Sequence, residues 1–315
     1  NHPVALARCD LHLMAVNSKA LELAGINSQT PDPPEGLISR DEHGQPDGIL
    51  KEQAIDLVKA AIPDPGEDHL LQAMQAGIPV LHSLGLTAIH DVRLKGAIKD
   101  GAMTLRAWQR LDHQGDLQLR CWSSLPGETV EQAAHLGLRT GFGSDRLRLG
   151  HLKYFADGGM GARTAWMIDP YQDGGSGLPL IPTQELLDMV RQADAAGLAV
   201  MIHAIGDRSS REVISVLEDV HAQRANNPNL LSAPPQVNHR IEHLQMVQPQ
   251  DLERLSRLPV DVCVQPSNQV IDIALLDVCL GERSKWAYAF RSMLEAGVRL
   301  LFSSDSPVCD PSPLM

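Results

Sequence analysis

Aromatic residues are scarce in this sequence: Phe, Trp and Tyr together make up 3% of its 315 residues. Aromatic stacking platforms for nucleic-acid bases are therefore not expected. The chain also lacks a basic excess, because 27 lysines and arginines stand against 39 aspartates and glutamates, a formal net charge of −12. That balance argues against a nucleic-acid partner, which needs a basic surface to displace counterions, and against docking on an anionic membrane.

Cysteine is sparse, with five widely spaced residues and no Cys-x-x-Cys pair. This pattern excludes a disulfide-rich scaffold and a cysteine-based zinc site, and it predicts the reduced thiols of a cytoplasmic protein. No run approaches the roughly 18 apolar residues of a transmembrane helix. The sequence starts at Asn1 rather than Met, so we expect it to be a piece of a longer protein.

Seven short apolar runs predict β-strands, and most of the gaps between them have room for a helix. The runs cover residues 85–89, 117–122, 147–152, 198–202, 237–241, 260–264 and 298–302. Helices are expected at 183–196 with Thr183 as the N-cap, and at 209–220, 249–258 and 287–296. Strands that alternate with helices indicate βαβ units and a parallel sheet.

The first 62 residues differ from this pattern, because residues 31–36 are rich in proline and turn formers. We interpret residues 1–62 as an insertion or lid-like segment with two helices, at about 17–25 and 50–60. We expect residues 63–315 to form the parallel sheet and its helices as one unit.

Four chemically useful residues stand at the ends of separate predicted strands: Lys153, His203, His243 and Asp305. In a parallel α/β barrel such residues converge on one mouth. Two imidazoles and a carboxylate suit Zn²⁺ or a similar ion, which activates water at neutral pH. The aspartate could then move a proton, and a buried neutral Lys153 could add carbon dioxide to form a carbamate ligand.

Four segments carry a resemblance to a known family. The sequence resembles the amidohydrolase superfamily, in particular its amidohydrolase-3 branch, which includes N-substituted formamide deformylase. The resemblance rests on Leu152-Lys153-Tyr154-Phe155-Ala156-Asp157-Gly158-Gly159, His203-Ala204-Ile205-Gly206-Asp207, His239-Arg240-Ile241-Glu242-His243 and Ser303-Ser304-Asp305-Ser306-Pro307-Val308, with support from residues 8–12 and 16–21. It covers nearly the whole chain.

The resemblance implies a (β/α)8 TIM-barrel hydrolase that cleaves amide-type C–N bonds of small molecules. It implies that Lys153 is a carboxylated bridging ligand and that His203 and His243 bind one metal. Asp305 would be both a metal ligand and the catalytic general acid/base. We expect zinc, with iron or manganese as alternatives.

Two family features are missing from the sequence. The family's first strand carries a His-x-His pair, and no two histidines here are two residues apart. The family also has a small β-sandwich domain, of which neither half is visible. The resemblance therefore implies a partial barrel that contains strands 2 to 8 and lacks strand 1 and the sandwich.

Three further residues are candidates for substrate binding: His12, Arg163 and His90. Each has a simpler alternative, because His12 could lie on the surface and His90 could be structural. Arg163 could instead pair with Asp157 or Asp169.

His239 and His243 are four residues apart in a predicted strand, so they lie about 13 Å apart and cannot hold one ion. We favour His243 as the ligand.

Two alternative functions stay open at this stage. Lys153 could form a Schiff base in a barrel enzyme, although this would leave His203, His243 and Asp305 without a shared task. The chain could also be an inactive metal-binding fragment. A barrel without its first strand has two unpaired edges, which predicts weak catalysis by the chain alone. It also predicts one of two outcomes: pairing with a strand of another copy in a homo-oligomer, or disorder at one barrel edge, in residues 1–62 or after Asp305.

Overall fold

The computed structural model describes residues 2–8, 11–63, 66–92, 98–226 and 237–312. Its strands form two sheets: a four-stranded antiparallel sheet near the start of the chain and a seven-stranded parallel sheet after it. The small sheet has the order β1-β2-β4-β3, and the large sheet runs in chain order from β5 to β11.

The small sheet consists of β1 Ala5–Ala7, β2 Leu13–Val16, β3 Gly36–Arg40 and β4 Pro46–Glu52, with helices α1 Ser18–Leu23 and α2 Ala54–Lys59. None of these strands was predicted. The expected helix at 50–60 begins only at Ala54, because the preceding residues pair with β2 and β3. That pairing buries Ile38 and Leu50 against Ile55 of α2 in a separate small core.

The large sheet consists of β5 Ala88–Asp91, β6 Arg120–Pro126, β7 Leu147–Phe155, β8 Val200–Ala204, β9 His239–His243, β10 Val260–Val264 and β11 Arg299–Phe302. All seven predicted strands and their parallel pairing are confirmed. The arrangement is that of an incomplete α/β barrel.

The helices around this sheet are α3 Glu67–Ser83, α4 Ile98–Gln114, α5 Val130–His135, α6 Thr183–Ala195, α7 Asp207–Asn226, α8 Pro249–Leu255, α9 Pro266–Leu280 and α10 Phe290–Glu295. The four helices predicted for residues 183–296 are present. The predicted N-cap is wrong, because α6 starts at Thr183 itself and is capped by Pro182 without a side-chain hydrogen bond.

Side-chain alternation along the central strands separates the core from the barrel interior. Ile202 of β8 and Ile241 of β9 belong to the main core, which the surrounding helices cover. Their neighbours His203 and Glu242 belong to the other face, which is the interior of the barrel. All five residues of each strand are buried, so polar groups on the inner face are also removed from solvent.

β5 and β11 lie at the two ends of the large sheet and are more exposed than its centre. Among the described helices, none has both the length and the apolar composition that a membrane span requires. Four of the five cysteines lie in the described ranges, and all four are free thiols: Cys121, Cys263, Cys279 and Cys309. Cys9 lies outside those ranges.

Candidate active site

A cavity of about 390 Å³ opens where the central parallel strands end. Lys153, His203, His243 and Asp305 all line it, each from a different strand end. The convergence follows from the topology, because parallel strands deliver their carboxyl ends to one mouth. His12, which precedes β2 of the small sheet, lines the same cavity. The structure therefore brings together the four main residues that the sequence singled out.

Lys153 is buried in β7, with 4% of its surface exposed. Its Nζ lies 4.5 Å from the centroid of the Phe155 ring. Burial lowers the pKa of the Lys153 amine to about 8, and the carboxylates of Glu242 and Asp305 oppose this shift only partly. A substantial fraction of the amine is therefore neutral and nucleophilic at mildly alkaline pH.

His203 lies at the centre of the site. Its ring is 4.5 Å from the His243 ring and 5.2 Å from the His12 ring, measured between centroids. Burial, together with the nearby cationic forms of His243, His12 and Lys153, holds the pKa of His203 well below its ordinary value. Its Nε2 lies 3.2 Å from the carbonyl oxygen of Gly158. Because that oxygen only accepts, Nε2 carries the proton.

His243 ends β9 with a positive φ of 73°. Its Nδ1 lies 2.8 Å from Oε1 of Gln265, the residue that follows β10. The Gln265 amide is oriented by its own donor group, because Nε2 donates to the Cys263 carbonyl at 3.1 Å and to Ser303 Oγ at 3.0 Å. Nδ1 of His243 must therefore donate. Burial lowers the pKa of His243 to about 3.

The two hydrogen bonds assign the remaining basic nitrogens: Nδ1 on His203 and Nε2 on His243. Neutral imidazoles whose other N–H is held by an oxygen acceptor are typical metal ligands. Across the described residues, no three His, Cys, Asp or Glu side chains already converge as a metal site. Two basic imidazole nitrogens and a carboxylate are donor types that a divalent ion accepts, and Lys153, which is none of these four residue types, lines the same cavity.

Asp305 follows β11 after two serines and has a positive φ of 56°. Burial raises the pKa of its carboxyl group, while the positive charges of Lys153 and His12 oppose the shift. A carboxyl group that is raised in pKa at a cavity wall can hold a proton for transfer.

Asp157 was assigned no role in the site from the sequence, and its contacts show that it anchors the site. Its carboxylate is fully buried and accepts backbone N–H bonds from Trp166 at 2.8 Å, Ile205 at 3.0 Å and Gly206 at 2.8 Å. Burial raises the pKa of Asp157 to about 7 against the effect of these three bonds. The residue ties the loop after β7 to the turn that leads into α7.

Glu52 is a site residue that the sequence analysis missed. It ends β4, and both of its carboxylate oxygens lie 3.0 Å from Nδ1 of His12. Thr164 Oγ1 donates to the same carboxylate. No local sequence motif predicts a role for Glu52, because its partners are 40 and 112 residues away in the chain.

The expected partner of Arg163 is corrected by the structure. Arg163 pairs with neither Asp157 nor Asp169; its Nε donates to Asp173 at 3.0 Å. Its guanidinium also lies 5.6 Å from the Tyr171 ring centroid. Arg163 does not line the cavity that holds Lys153, so its proposed substrate contact is not supported by its position.

His90 and His239 also lie away from this cavity. His90 lines a second cavity of about 250 Å³, where its Nε2 is 3.2 Å from Ser124 Oγ and its Nδ1 is 3.1 Å from Arg240. The structural alternative for His90 is therefore the one its contacts support. His239 Nδ1 accepts from the backbone N–H of Val200 and its Nε2 contacts Asp194, which agrees with its exclusion as a ligand.

Comparison with known proteins places the chain in a family. The family model for the amidohydrolase family matches residues 1–315. The chain is 30% identical to YtcJ of Bacillus subtilis over 318 residues, and 27% identical to N-substituted formamide deformylase of Arthrobacter pascens over 331 residues. The alignments cover 100% and 99% of this chain, but only 57% of each relative.

A solved structure shows the same similarity. An uncharacterized metal-dependent hydrolase from Pyrococcus furiosus superposes with a TM-score of 0.74 and 27% identity, over 99% of this chain and 60% of that one. The family model matches the whole chain, including the four residues of the cavity: Lys153, His203, His243 and Asp305. This chain belongs to the amidohydrolase family.

Proposed function

We propose that the protein hydrolyses amide-type C–N bonds of small molecules, with N-substituted formamides among its substrates. The observation that carries this proposal is the single cavity that holds two neutral imidazoles, a buried amine of lowered pKa and a buried carboxyl of raised pKa. This combination suits hydrolysis better than Schiff-base chemistry, which would use only Lys153. Membership of the amidohydrolase family supports the same reaction class.

Four residues would hold a divalent ion in this proposal: Nδ1 of His203, Nε2 of His243, Asp305, and Lys153 as its carbamate. We propose zinc, with iron or manganese as alternatives. When bound, such an ion activates water and polarises the amide carbonyl. The carbamate would form when neutral Lys153 Nζ attacks carbon dioxide and loses one proton, which replaces a cation by a carboxylate-like ligand.

Asp305 would move the proton of the reaction. Its carboxylate accepts a proton from the attacking water as the oxygen adds to the carbonyl carbon. It then gives that proton to the amide nitrogen as the C–N bond breaks, which releases a carboxylic acid and an amine. The raised pKa of Asp305 suits it to hold the proton between these two transfers.

The walls of the cavity indicate the size and polarity of the substrate. Apolar side chains come from both parts of the chain, among them Met14 and Ile55 of the small sheet unit and Met160, Ile271 and Leu275 of the barrel. A volume of about 390 Å³ with such walls suits a small molecule with one apolar substituent.

A hydrolysis assay with zinc tests this function. The purified protein should release amine and formate from an N-alkylformamide, and a chelator should abolish the activity. D305N should lower kcat by about 100-fold or more, whereas D310N, at an exposed aspartate five residues further on, should not. If the zinc-loaded protein turned over no amide, the proposed function would be wrong.

A separate labelling experiment tests the carbamate. With ¹³C-bicarbonate and zinc, the protein should show a carbamate carbon signal in its NMR spectrum. K153M should lose that signal, and K19M, at an exposed lysine of α1, should keep it. An unmodified Lys153 amine in the zinc-loaded protein would rule out this part of the proposal.

A further inference from the structure

Gln245 is a buried residue at the wall of the main cavity, the one that Lys153 lines, and 4% of its surface is exposed. Its Oε1 is one of three buried side-chain atoms that have no hydrogen-bond partner within the described ranges; the others are His151 Nδ1 and Ser209 Oγ. Neither His151 nor Ser209 lines this cavity. A buried acceptor without a partner destabilises a fold, so such an atom at a cavity wall points to a bound ligand.

Two other buried glutamines of the same region have engaged amides. Gln248 Nε2 donates to Asp207 Oδ2 at 2.7 Å. Gln265 Oε1 accepts from Nδ1 of His243 at 2.8 Å. The unpaired oxygen of Gln245 is therefore a property of this one position and not of the buried glutamines around it.

The backbone fixes the place of Gln245. Three backbone hydrogen bonds hold its segment: Leu244 N–H to the Ala204 carbonyl at 2.9 Å, Met246 N–H to the Ile205 carbonyl at 3.0 Å, and Tyr288 N–H to the Gln245 carbonyl at 2.7 Å. Because these bonds hold the chain, the backbone does not move to bring Oε1 to a protein partner. The last side-chain torsion of glutamine is soft, so the amide plane can turn toward a ligand while the backbone stays in place.

The chemistry of the Gln245 amide defines the group that matches it. A carboxamide presents an acceptor oxygen and an N–H donor in one plane. The complementary group also presents an N–H and a C=O on one edge, as a primary carboxamide or a urea does. A hydroxyl group pairs with only one of the two atoms, and an ammonium group finds no opposite charge on Gln245 to offset its desolvation.

We propose that Gln245 binds a primary carboxamide or urea group that the substrate carries in addition to its scissile amide. The scissile amide is already engaged in the proposed reaction, because its nitrogen receives the proton from Asp305. The substrate class is then small N-acyl or N-formyl amines that bear such a neutral group. This inference rests on the proposed amide hydrolysis and adds a substrate class to it.

Two matched formamides test the inference. N-formylleucinamide carries the carboxamide, and its methyl-ketone isostere has CH₃ in place of that NH₂ and keeps the carbonyl. Formate release by the zinc-loaded protein should favour the carboxamide by about tenfold or more in kcat/KM, the value of one hydrogen bond. Q245M should bring this ratio close to one, through a loss for the carboxamide, while the ketone is hardly affected.

Q184M is the matched control, because it makes the same substitution at an exposed position of α6, and the ratio should not change. Q245M should bind zinc as tightly as the unmodified protein does. A loss of zinc affinity would assign Gln245 to the metal site through His243 and overturn the proposal. Equal kcat/KM values for the two formamides in the unmodified protein, or an equal loss for both in Q245M, would also overturn it.

Stability gives a readout that a structural role would move in the opposite direction. Q245M replaces an unpaired buried acceptor by apolar atoms, so the midpoint of urea unfolding should stay the same or rise. Q248M removes the partner of Asp207 and should lower that midpoint. A fall in Q245M as large as the fall in Q248M would show that the Gln245 amide supports the fold and not a ligand.

A binding experiment without metal or turnover separates this inference from the proposed function. In the metal-free protein, calorimetry should show about tenfold tighter binding of N-formylleucinamide than of the ketone, and Q245M should bind both equally. Equal binding by the unmodified protein would contradict the role of Gln245. If the zinc-loaded protein released no formate from either compound, the proposed function would fail, and the metal-free preference would still decide the role of Gln245.

Discussion

Gln265 shows how a residue that bears no ligand atom can control the site. Its Oε1 receives the Nδ1–H of His243 at 2.8 Å, which leaves Nε2 as the basic nitrogen. Loss of such a partner typically weakens metal binding by about 10–100-fold. We expect Q265L to show a loss of this size for zinc in competition with a chromophoric chelator.

The design of that experiment separates the hydrogen bond from folding effects. Q265E keeps an acceptor oxygen and should bind zinc more tightly than Q265L. Q184L makes the same polar-to-apolar change on the exposed face of α6 and should match the unmodified protein. Unchanged zinc affinity in Q265L would show that Gln265 does not set the tautomer of His243.

Asp194 contacts a histidine outside the cavity, His239, as Gln265 contacts His243 inside it. Its buried carboxylate contacts Nε2 of His239 at 3.0 Å and accepts from Arg224. Burial is the largest single influence and raises the pKa of Asp194, but the hydrogen bonds to His239 and Arg224 outweigh it and leave that pKa lowered. A lowered pKa in the folded state means that the charged carboxylate stabilises the fold.

D194N should therefore lower the free energy of unfolding at pH 7 by about 2 kcal/mol, the value of a charge-assisted hydrogen bond. The stabilisation is complete above the unfolded-state pKa of about 4 and is lost as the pH falls through the lower folded value. The difference between the two proteins in urea unfolding should thus shrink below pH 4. D188N, at an exposed position of the same helix, should show no comparable effect.

At the scale of elements, the turn between β8 and α7 locks the loop that follows β7. A Cβ on Gly206 would lie 2.1 Å from the Trp166 carbonyl oxygen, and the Gly206 N–H bonds to Asp157 at 2.8 Å. G206A must push the two loops apart, because the contact is with backbone. We expect a loss of about 3 kcal/mol in stability, together with weaker zinc binding.

Gly77 provides the matched control for this substitution. It lies inside α3, and nothing lies within 4 Å of the position its Cβ would take. G77A should raise stability by about 0.5–1 kcal/mol through helix propensity alone. If G206A were as stable as the unmodified protein in thermal unfolding, the loop after β7 would not be held as described.

At the scale of the molecule, the large sheet has protected central strands and open ends. β8 and β9 are buried throughout, whereas β5 and β11 contain exposed residues and each pairs on one side within the described residues. Amides of β5 and β11 should exchange with deuterium at least about 100-fold faster than those of β8 and β9.

Mass spectrometry of peptic fragments can measure this exchange, and light scattering on the same sample gives the oligomeric state. Equal protection of the end and central strands would show that another strand covers the ends. A homo-oligomer, one of the two outcomes that the open edges allow, would instead appear as slow exchange at β5 and β11 that becomes fast on dilution.

The sequence by itself determined the seven parallel strands and the four residues at the main cavity. Each buried strand is a short apolar run, and strands joined by helices pair in parallel, which sends their carboxyl ends to one mouth. Lys153, His203, His243 and Asp305 could therefore be grouped without knowledge of any contact. The positions of the protons on His203 and His243 could not be predicted, because each tautomer depends on an oxygen atom from another part of the chain.

Only the tertiary structure decided the small sheet and the residues that complete the site. The strands of that sheet are three to seven residues long, too short for their periodicity to distinguish them from turns or helices. Glu52 contacts His12, which is 40 residues away in the chain, and Thr164, which is 112 residues away. Arg163 pairs with Asp173 rather than with Asp157 or Asp169, which are nearer in the sequence. Such partners are selected by packing and backbone direction in three dimensions, which local residue patterns do not contain.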